Sequence, residues 1–401
     1  MLNAIYIDCM PGPTHHYGGH AVGNIASQKS KSSASNPQQA ALEWLEKVWQ
    51  VHQLGGIQLI MPPHRRPLSI HRKHPQLHHL SSAFMWMANA GYFFPSVDSH
   101  HNDHCFIPSF MCSSSHRNKE HTIHRYWINK MLAANTTVLT RINLNDEGAA
   151  NHIRLWGDIN RPALNVFVHA PQSTQVKARQ TMASIKKVLE KVQLKHALLL
   201  TQNATAIDAG VFHNDIISFG FQNKLFCHQA SFENQKDAIS LLNKKYHNIF
   251  QQPLHVIEVS NNELTLPEAV ESYLFNSQII LTSTGATLLC PQPVASHPKA
   301  RPIVNKWVSE GHIQAACFTP IQSSLMNGGG PACLRLSVYL NDHEIDAIPS
   351  VFFMTNQRYL QLKGIILALY PTTFSYANSI TNDSVPRDIV REIEQLFKVT
   401  T

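Results

Sequence analysis

Amphipathic helical stretches and short apolar runs alternate along the whole chain, and that alternation confines it to an α/β fold. In "NPQQAALEWLEKVWQVHQLGG", Asn36 is placed as an N-cap and Pro37 at the first helical position. Gly55 marks the stop, and Leu42, Leu45, Val48 and Val51 fall at helical spacing. "ARQTMASIKKVLEKV" sets Met182, Ile185, Leu189 and Val192 on one face, and "SVPRDIVREIEQLF" does the same with Ile389, Ile393 and Leu396. Between the helices, "IQLIM", "LNVFVHA", "HALLLT", "DIISFG", "KLFCHQA", "LHVIEVS", "SQIILT" and "LRLSVYL" read as strands. No proline-rich or glycine-serine linker divides the chain, and "SQKSKSSASNP" (Ser27 to Pro37) reads as a polar loop. One α/β domain over residues 1–401 is expected, its recurring strand–helix–strand units suited to a pseudo-symmetric architecture.

With 43% hydrophobic and 15% charged residues, the 401-residue chain can bury a large core. No run reaches the roughly 18 apolar residues of a membrane helix, and "MLNAIYIDCMPGP" lacks a basic n-region. Seven cysteines, an odd number without paired spacing, point to reduced thiols and a cytoplasmic location. The charge of +7 is dispersed rather than gathered in a basic block, which argues against a nucleic-acid partner and suits a small anionic ligand. The 25 histidines are the compositional oddity, crowded in "HRKHPQLHHL" and "DSHHNDHC". Structural zinc sites need cysteine and histidine pairs at set spacings, and neither CxxC nor HExxH occurs, so no metal and no cofactor are expected. A histidine-rich zinc-binding protein without catalysis, using His104 and Cys105, is the alternative from another functional class.

Three stretches carry residues suited to chemistry. "MNGGGPACLRL" spends three of the 17 glycines in succession just before Cys333. No Gly-Lys-Ser/Thr follows, which excludes a phosphate loop and leaves a plain turn or a loop presenting a thiol. A cysteine nucleophile works as its thiolate and needs a base or a cation beside it. "GVFHNDIISFG" offers His213, Asn214 and Asp215 at the mouth of a strand, and "NDEGAANHIRL" offers Asp146 and Glu147. Strand ends are where open α/β folds assemble sites, but spacing alone does not show that these groups meet.

Together these three stretches resemble, in order, the hallmark segments of the N-succinylarginine dihydrolase family. "GPTHHYGGHAVGNIAS", "MPPHRRP", "MWMANAGYFFPS", "LFCHQASF" and "SYLFNSQ" extend the resemblance. It implies a pentein fold, a pseudo-fivefold α/β propeller with the site in a central channel, and a homodimer. It implies hydrolysis of N2-succinylarginine to N2-succinylornithine, carbon dioxide and two ammonia. By the same resemblance Cys333 is the nucleophile, His213 the proton shuttle and Glu147 the accompanying acid. Asn89, Asp215 and Asn327 match substrate contacts, and Arg117 with its neighbour His116, together with Arg179, matches contacts to the substrate's carboxylates. The loop Gly18, Gly19, His20, Ala21, Val22, Gly23, Asn24, Ile25, Ala26 and Ser27 would wrap the substrate with backbone donors, departing from the family's usual acid at Ile25. An arginine deiminase or dimethylarginine hydrolase, releasing one ammonia or amine, is the rival within the fold.

Overall fold

The computed structural model describes residues 1–19, 23–65, 86–109, 120–132, 136–138, 148–171, 174–175, 179–283, 285–374 and 384–398. The first unit contains β1 (Leu2–Cys9), α1 (Pro37–Gln53) and β2 (Ile57–Met61). The second has β3 (Gly91–Phe94), β4 (His104–Pro108), α2 (His121–Leu132) and β5 (Thr136–Val138). Next come β6 (His152–Leu155), β7 (Leu164–His169), α3 (Met182–Val192) and β8 (Ala197–Thr201). The fourth comprises β9 (Ser218–Phe221), β10 (Lys224–His228), α4 (Gln235–Phe250) and β11 (His255–Val259). The fifth comprises β12 (Gln278–Thr282), β13 (Gly285–Pro291), α5 (Ala300–Ser309) and β14 (Ala315–Thr319). Then β15 (Arg335–Asn341), α6 (Asn356–Leu369) and α7 (Ser384–Gln395) complete the chain.

Among the described residues the strands form five three-stranded sheets with one repeated plan. The middle strand pairs antiparallel with one neighbour and parallel with the other, as β10 does with β9 and β11. A parallel neighbour demands a crossover, and each of α1 to α5 supplies one. The first sheet is completed from the far end of the chain. β15 pairs antiparallel with β1, from Leu2↔Asn341 to Asp8↔Arg335, while β2 lies parallel on the other side.

Local signals explain most of these elements. The Asn36 side chain accepts from the Gln39 N–H at the start of α1, with Pro37 where no donor is needed. Trp44, Leu45, Val48 and Val51 of α1 are buried, and Leu42 is half-buried. In α3 the buried face is Ile185, Val188 and Val192, whereas Met182 is 41% exposed. Met182 is the first helical residue, and a helical side chain leans back over the preceding turn, away from the packed face. "DIISFG" departs from a continuous strand. β9 begins only at Ser218, while Asn214–Ile216 make one turn of 3₁₀ helix and Ile217 closes onto the Asn214 carbonyl. Ile216 and Ile217 are fully buried all the same, so the apolar run meets its burial without extended backbone.

The feature that positions the site is shared by the units. A single turn of helix precedes the strand that pairs antiparallel with the middle strand of each sheet: Met87–Asn89, Gly148–Asn151, Asn214–Ile216, Leu274–Asn276 and Pro331–Leu334. Each turn touches the next, and the last touches the first, in a closed ring.

A buried ion pair lies beneath this ring. The Lys47 Nζ of α1 sits 2.8 and 2.6 Å from the two oxygens of Asp8 in β1, and the Gln58 amide donates to the same carboxylate at 3.0 Å. Neither charged side chain is exposed. Removing one partner of such a pair strands the other charge in the core. Lys47→Met is therefore expected to lower the unfolding free energy by about 3–5 kcal/mol in urea titration. Adding Asp8→Asn should recover part of that loss. A single variant within about 1 kcal/mol of wild type would show that the pair carries no such weight.

Candidate active site

Cys333 lies in the one-turn helix Pro331–Leu334, two residues before β15, and is 95% shielded from solvent. Its backbone N–H donates to Asn276 Oδ1 at 3.3 Å. The Asn276 amide donates in turn to the Asp215 carbonyl at 3.3 Å, so one side chain links three turns of the ring. The Cys333 thiol donates to Asp215 Oδ2 at 3.5 Å. His213, buried and packed on Phe212 with ring centroids 4.9 Å apart, stands immediately before the turn that carries Asp215. Asn214 anchors that turn on the neighbouring one, its N–H reaching Asn151 Oδ1 at 2.6 Å.

The three glycines have a steric reason. Gly328 has φ +94°, and a Cβ there would fall 1.9 Å from Asn24 Nδ2. A Cβ on Gly329 would fall 2.0 Å from Trp86 Nε1, and one on Gly330 would fall 2.6 Å from Asn276 Oδ1. The run thus admits Asn24, Trp86 and Asn276 against the backbone that delivers the thiol. Asn24 also caps the short helix Ile25–Lys29 by accepting from Ser27 N, and its amide donates to the Gly328 carbonyl at 3.2 Å. This holds the first loop on the loop that leads to Cys333. Asn327, fully buried, donates to His15 Nε2 at 3.0 Å, and His15 Nδ1 faces Ser35 Oγ at 3.0 Å.

Three buried side-chain oxygens around this centre accept no hydrogen bond from the described residues: Asn89 Oδ1, Asp215 Oδ1 and Asn327 Oδ1. Buried acceptors are seldom left so; Asp215 touches the thiol and Asn89 lies on a turn that contacts the turn of Cys333, and such acceptors suit a ligand rich in N–H donors. Arg179 is half-buried with its guanidinium 5.8 Å from the Phe212 ring, at the edge of the His213 loop. Ile25 is 39% exposed and packs on Gly210 of that same loop. Ala26 is half-buried and Ser27 buried, with the Ser27 N–H taken by Asn24. Gly19 passes its carbonyl to the Gln28 amide at 2.7 Å, next to Gly18, and Gly23 has φ +87°. Glu147, His116, Arg117, His20, Ala21 and Val22 lie outside the described residues.

On the inner side, Asp215, Ala332, Arg335, His152 and Arg154 line a cavity of about 110 Å³. Arg335 Nε is buried there without a hydrogen-bond partner among the described residues, and its charge opposes the rise in the Asp215 pKa. Arg154 is held bidentately by Asp98 at 2.8 and 2.9 Å. Burial drives His152 down to about 4, so it is neutral. Asn276, Trp86 and Arg335 are site residues that motif reading did not single out, although each lies inside a quoted stretch. What marks them is their place on or against the stretch that carries Cys333, which no spacing reveals.

The electrostatics are those of a resting thiol. Burial raises the Cys333 pKa well above its ordinary value, and the Asp215 charge raises it further. Burial likewise raises Asp215, against the opposing pull of His213.

A buried thiol that donates to a carboxylate, with a buried histidine two residues before that carboxylate in the chain, suits covalent cysteine catalysis on a planar nitrogenous cation. The sequence profile of the succinylarginine dihydrolase family matches residues 2–399, and the chain belongs to that family. The family comprises hydrolases acting on the carbon–nitrogen bonds of a guanidino group. The chain is 34% identical to N-succinylarginine dihydrolase of Pseudoalteromonas translucida (strain TAC 125), covering 89% of this chain and 88% of that one. It is 34% identical to the enzyme of that name from Aliivibrio salmonicida (strain LFI1238), with the same coverage. Its fold is similar to the crystal structure of the N-terminal domain of ArgZ, an arginine dihydrolase from the ornithine-ammonia cycle in Cyanobacteria. The TM-score is 0.56 at 15% identity, over 84% of this chain and 97% of that one.

The raised thiol pKa has a measurable sign. Alkylation of Cys333 in the substrate-free protein should be slow at pH 7 and accelerate as the pH rises past the ordinary thiol range. Asp215→Asn removes a charge that raises the pKa, so the alkylation profile should move to lower pH. Mass spectrometry of the Cys333 peptide checks this, and an unmoved profile would mean that Asp215 does not control the thiol.

Proposed function

We propose that this protein hydrolyses N2-succinylarginine to N2-succinylornithine, carbon dioxide and two ammonia through a covalent intermediate on Cys333. The observation that carries the proposal is the buried Cys333 thiol against the Asp215 carboxylate, with Asn89, Asp215 and Asn327 each keeping a buried acceptor oxygen unpartnered among the described residues. A guanidinium presents five N–H donors in one plane and one positive charge, which complements those oxygens. Its charge also offsets the carboxylate that holds the thiol protonated, so substrate binding favours the thiolate.

The Cys333 sulfur attacks the guanidinium carbon, and ammonia leaves with a proton supplied by His213. Water, deprotonated by His213, then displaces the thioether sulfur and leaves a ureido group. A second round on the ureido carbon expels the second ammonia and ends in carbon dioxide and the free amine. The overall reaction consumes two waters per guanidinium, and the positive charge passes to the ornithine amine. Glu147 orients His213, and Arg117, His116 and Arg179 hold the two carboxylates of the substrate. The Gly18 to Ser27 loop, including His20, Ala21 and Val22, covers it. The rigid link from Asn24 to Gly328 favours a cover that is set by the nucleophile's own loop.

The five sheets are arranged about a pseudo-fivefold axis as a propeller, with residues 1–401 forming one domain. The closed ring of one-turn helices and the β15–β1 pairing support this. The enzyme works in the cytoplasm as a homodimer. Among the described residues no helix is long and apolar enough to cross a membrane.

Ammonia released per succinylarginine consumed decides the reaction. Two ammonia with succinylornithine are expected; one ammonia with accumulating succinylcitrulline would make the protein a deiminase. Cys333→Ala should bind substrate without turnover, and activity within about tenfold of wild type would remove the covalent step. Arg179→Ala should raise KM for succinylarginine by the equivalent of about 1.5–3 kcal/mol, the worth of a hydrogen bond to a charged group. Unchanged KM would remove Arg179 from the substrate's carboxylates.

A further inference from the structure

We propose that His64, Glu120 and His124 form a metal site that takes Zn²⁺ through two imidazole nitrogens and one carboxylate oxygen. All three side chains are buried, and their ligand atoms lie within 4.8 Å of one another. The His64 and His124 rings stand 5.0 Å apart at 40°. Two of the ligands are arranged by α2: Glu120 immediately precedes it and His124 follows four residues later, one turn on and on the same face. The third comes from the stretch after β2, where Pro62 and Pro63 stiffen the approach to His64.

A tetrahedral zinc with bonds of 2.0–2.1 Å holds its donors about 3.3 Å apart. With the ligand atoms within 4.8 Å of one another, coordination requires a closure of at most about 1.5 Å. Two nitrogens and one oxygen suit zinc, whereas calcium and magnesium select sets made of oxygen alone. His64 also lines a cavity of about 590 Å³ with Thr122, Tyr126, Lys130 and Glu394, which gives an ion a route in and a water room to complete the shell. Arg65, next in the chain, does not oppose a cation there, because its guanidinium is paired with Glu394 through Nε at 2.8 Å. A bound zinc would tie the exit of β2 to the start of α2, joining the first unit of the fold to the second. Its ligands are not residues of the proposed reaction, so the site is one of stability rather than of chemistry.

The test uses the full chain, stripped with chelator and titrated with Zn²⁺ against a chromophoric competitor, and with Co²⁺ as a spectroscopic probe. Wild type should bind one Zn²⁺ tightly, show the intense visible bands of four-coordinate Co²⁺, and melt at higher temperature with one equivalent of zinc. His64→Asn with His124→Asn should weaken that site at least about 100-fold, the upper end of what loss of a mere outer-shell partner costs. Glu120→Gln, nearly isosteric, should weaken it in the same direction. The other histidines remain in all three proteins, so their weaker binding cancels in the comparison. Equal zinc affinity in wild type and the double variant overturns the proposal. If the double variant fails to fold, wild-type Co²⁺ giving only weak six-coordinate bands, or Glu120→Gln binding as tightly as wild type, overturns it equally.

Discussion

The pairing of β15 with β1 is the constraint on which the site depends. It joins residues 335–341 to residues 2–8, so the first sheet does not exist until both ends of the chain have met. Cys333 rides directly on the start of that strand. Its register partner across the ladder two residues on is fixed as well: Arg335 opposes Asp8, the carboxylate that Lys47 and Gln58 hold in the core. A slip of one residue would exchange the two faces of β15 and turn Arg335 out of the inner cavity. The buried ion pair is costly to desolvate, and its geometry, with a third donor from Gln58, is of the kind that offsets the cost and specifies one register.

Asparagine does two different jobs around the ring. Asn24, Asn151 and Asn276 spend their side chains on neighbouring backbone: Asn24 on Gly328, Asn151 on Asn214, Asn276 on both Cys333 and Asp215. These bonds are shielded from water, and losing one leaves a buried group unsatisfied, so they lock the turns relative to one another. Asn89 and Asn327 instead keep an acceptor oxygen in hand. A backbone conformation that costs energy accompanies the arrangement. Tyr273, buried beside Cys333 and Asp215, has φ +53°, a left-handed geometry worth about 1–3 kcal/mol of strain in a bulky residue. That conformation ends the helix Leu266–Ser272 and begins the turn that presents Asn276.

Much of the fold was legible because its signals are local. Asn36 and Pro37 announce α1, and runs such as "IQLIM" and "HALLLT" become β2 and β8 within a residue. The ring of one-turn helices was not, because three or four residues carry no periodicity and the likeness between units lies in space. The early part of "DIISFG" misled for a related reason: burial of Ile216 and Ile217 looks the same in the sequence whether the backbone is extended or turned. In the sequence the triple glycine reads equally as a plain turn or as a loop presenting a thiol. Its visible cause is the close approach of Asn24, Trp86 and Asn276, from stretches about 50 to 300 residues away. The histidine cluster was hidden by the same distance. Glu120 and His124 match no zinc motif, and His64 joins them only through the packing of β2's exit on α2.

Electrostatics then set which part of the proposed reaction is harder. Cys333 and Asp215 are buried together, and burial alone pushes both toward their neutral forms. An arriving guanidinium supplies the missing positive charge, so the first attack brings its own activation. After one ammonia has left, the ureido group is neutral and offers no such charge, although its N–H groups still match the oxygens of Asn89 and Asn327. What positive charge remains near the centre is then that of Arg335, whose guanidinium opposes the rise at Asp215. The intermediate must be retained by groups remote from the reacting carbon, since binding energy realised there keeps the carbon in line with the sulfur. In the proposed reaction that task falls to Arg179, whose guanidinium lies 5.8 Å from the Phe212 ring beside the His213 loop, because a carboxylate clamp holds equally well before and after the guanidinium loses its charge.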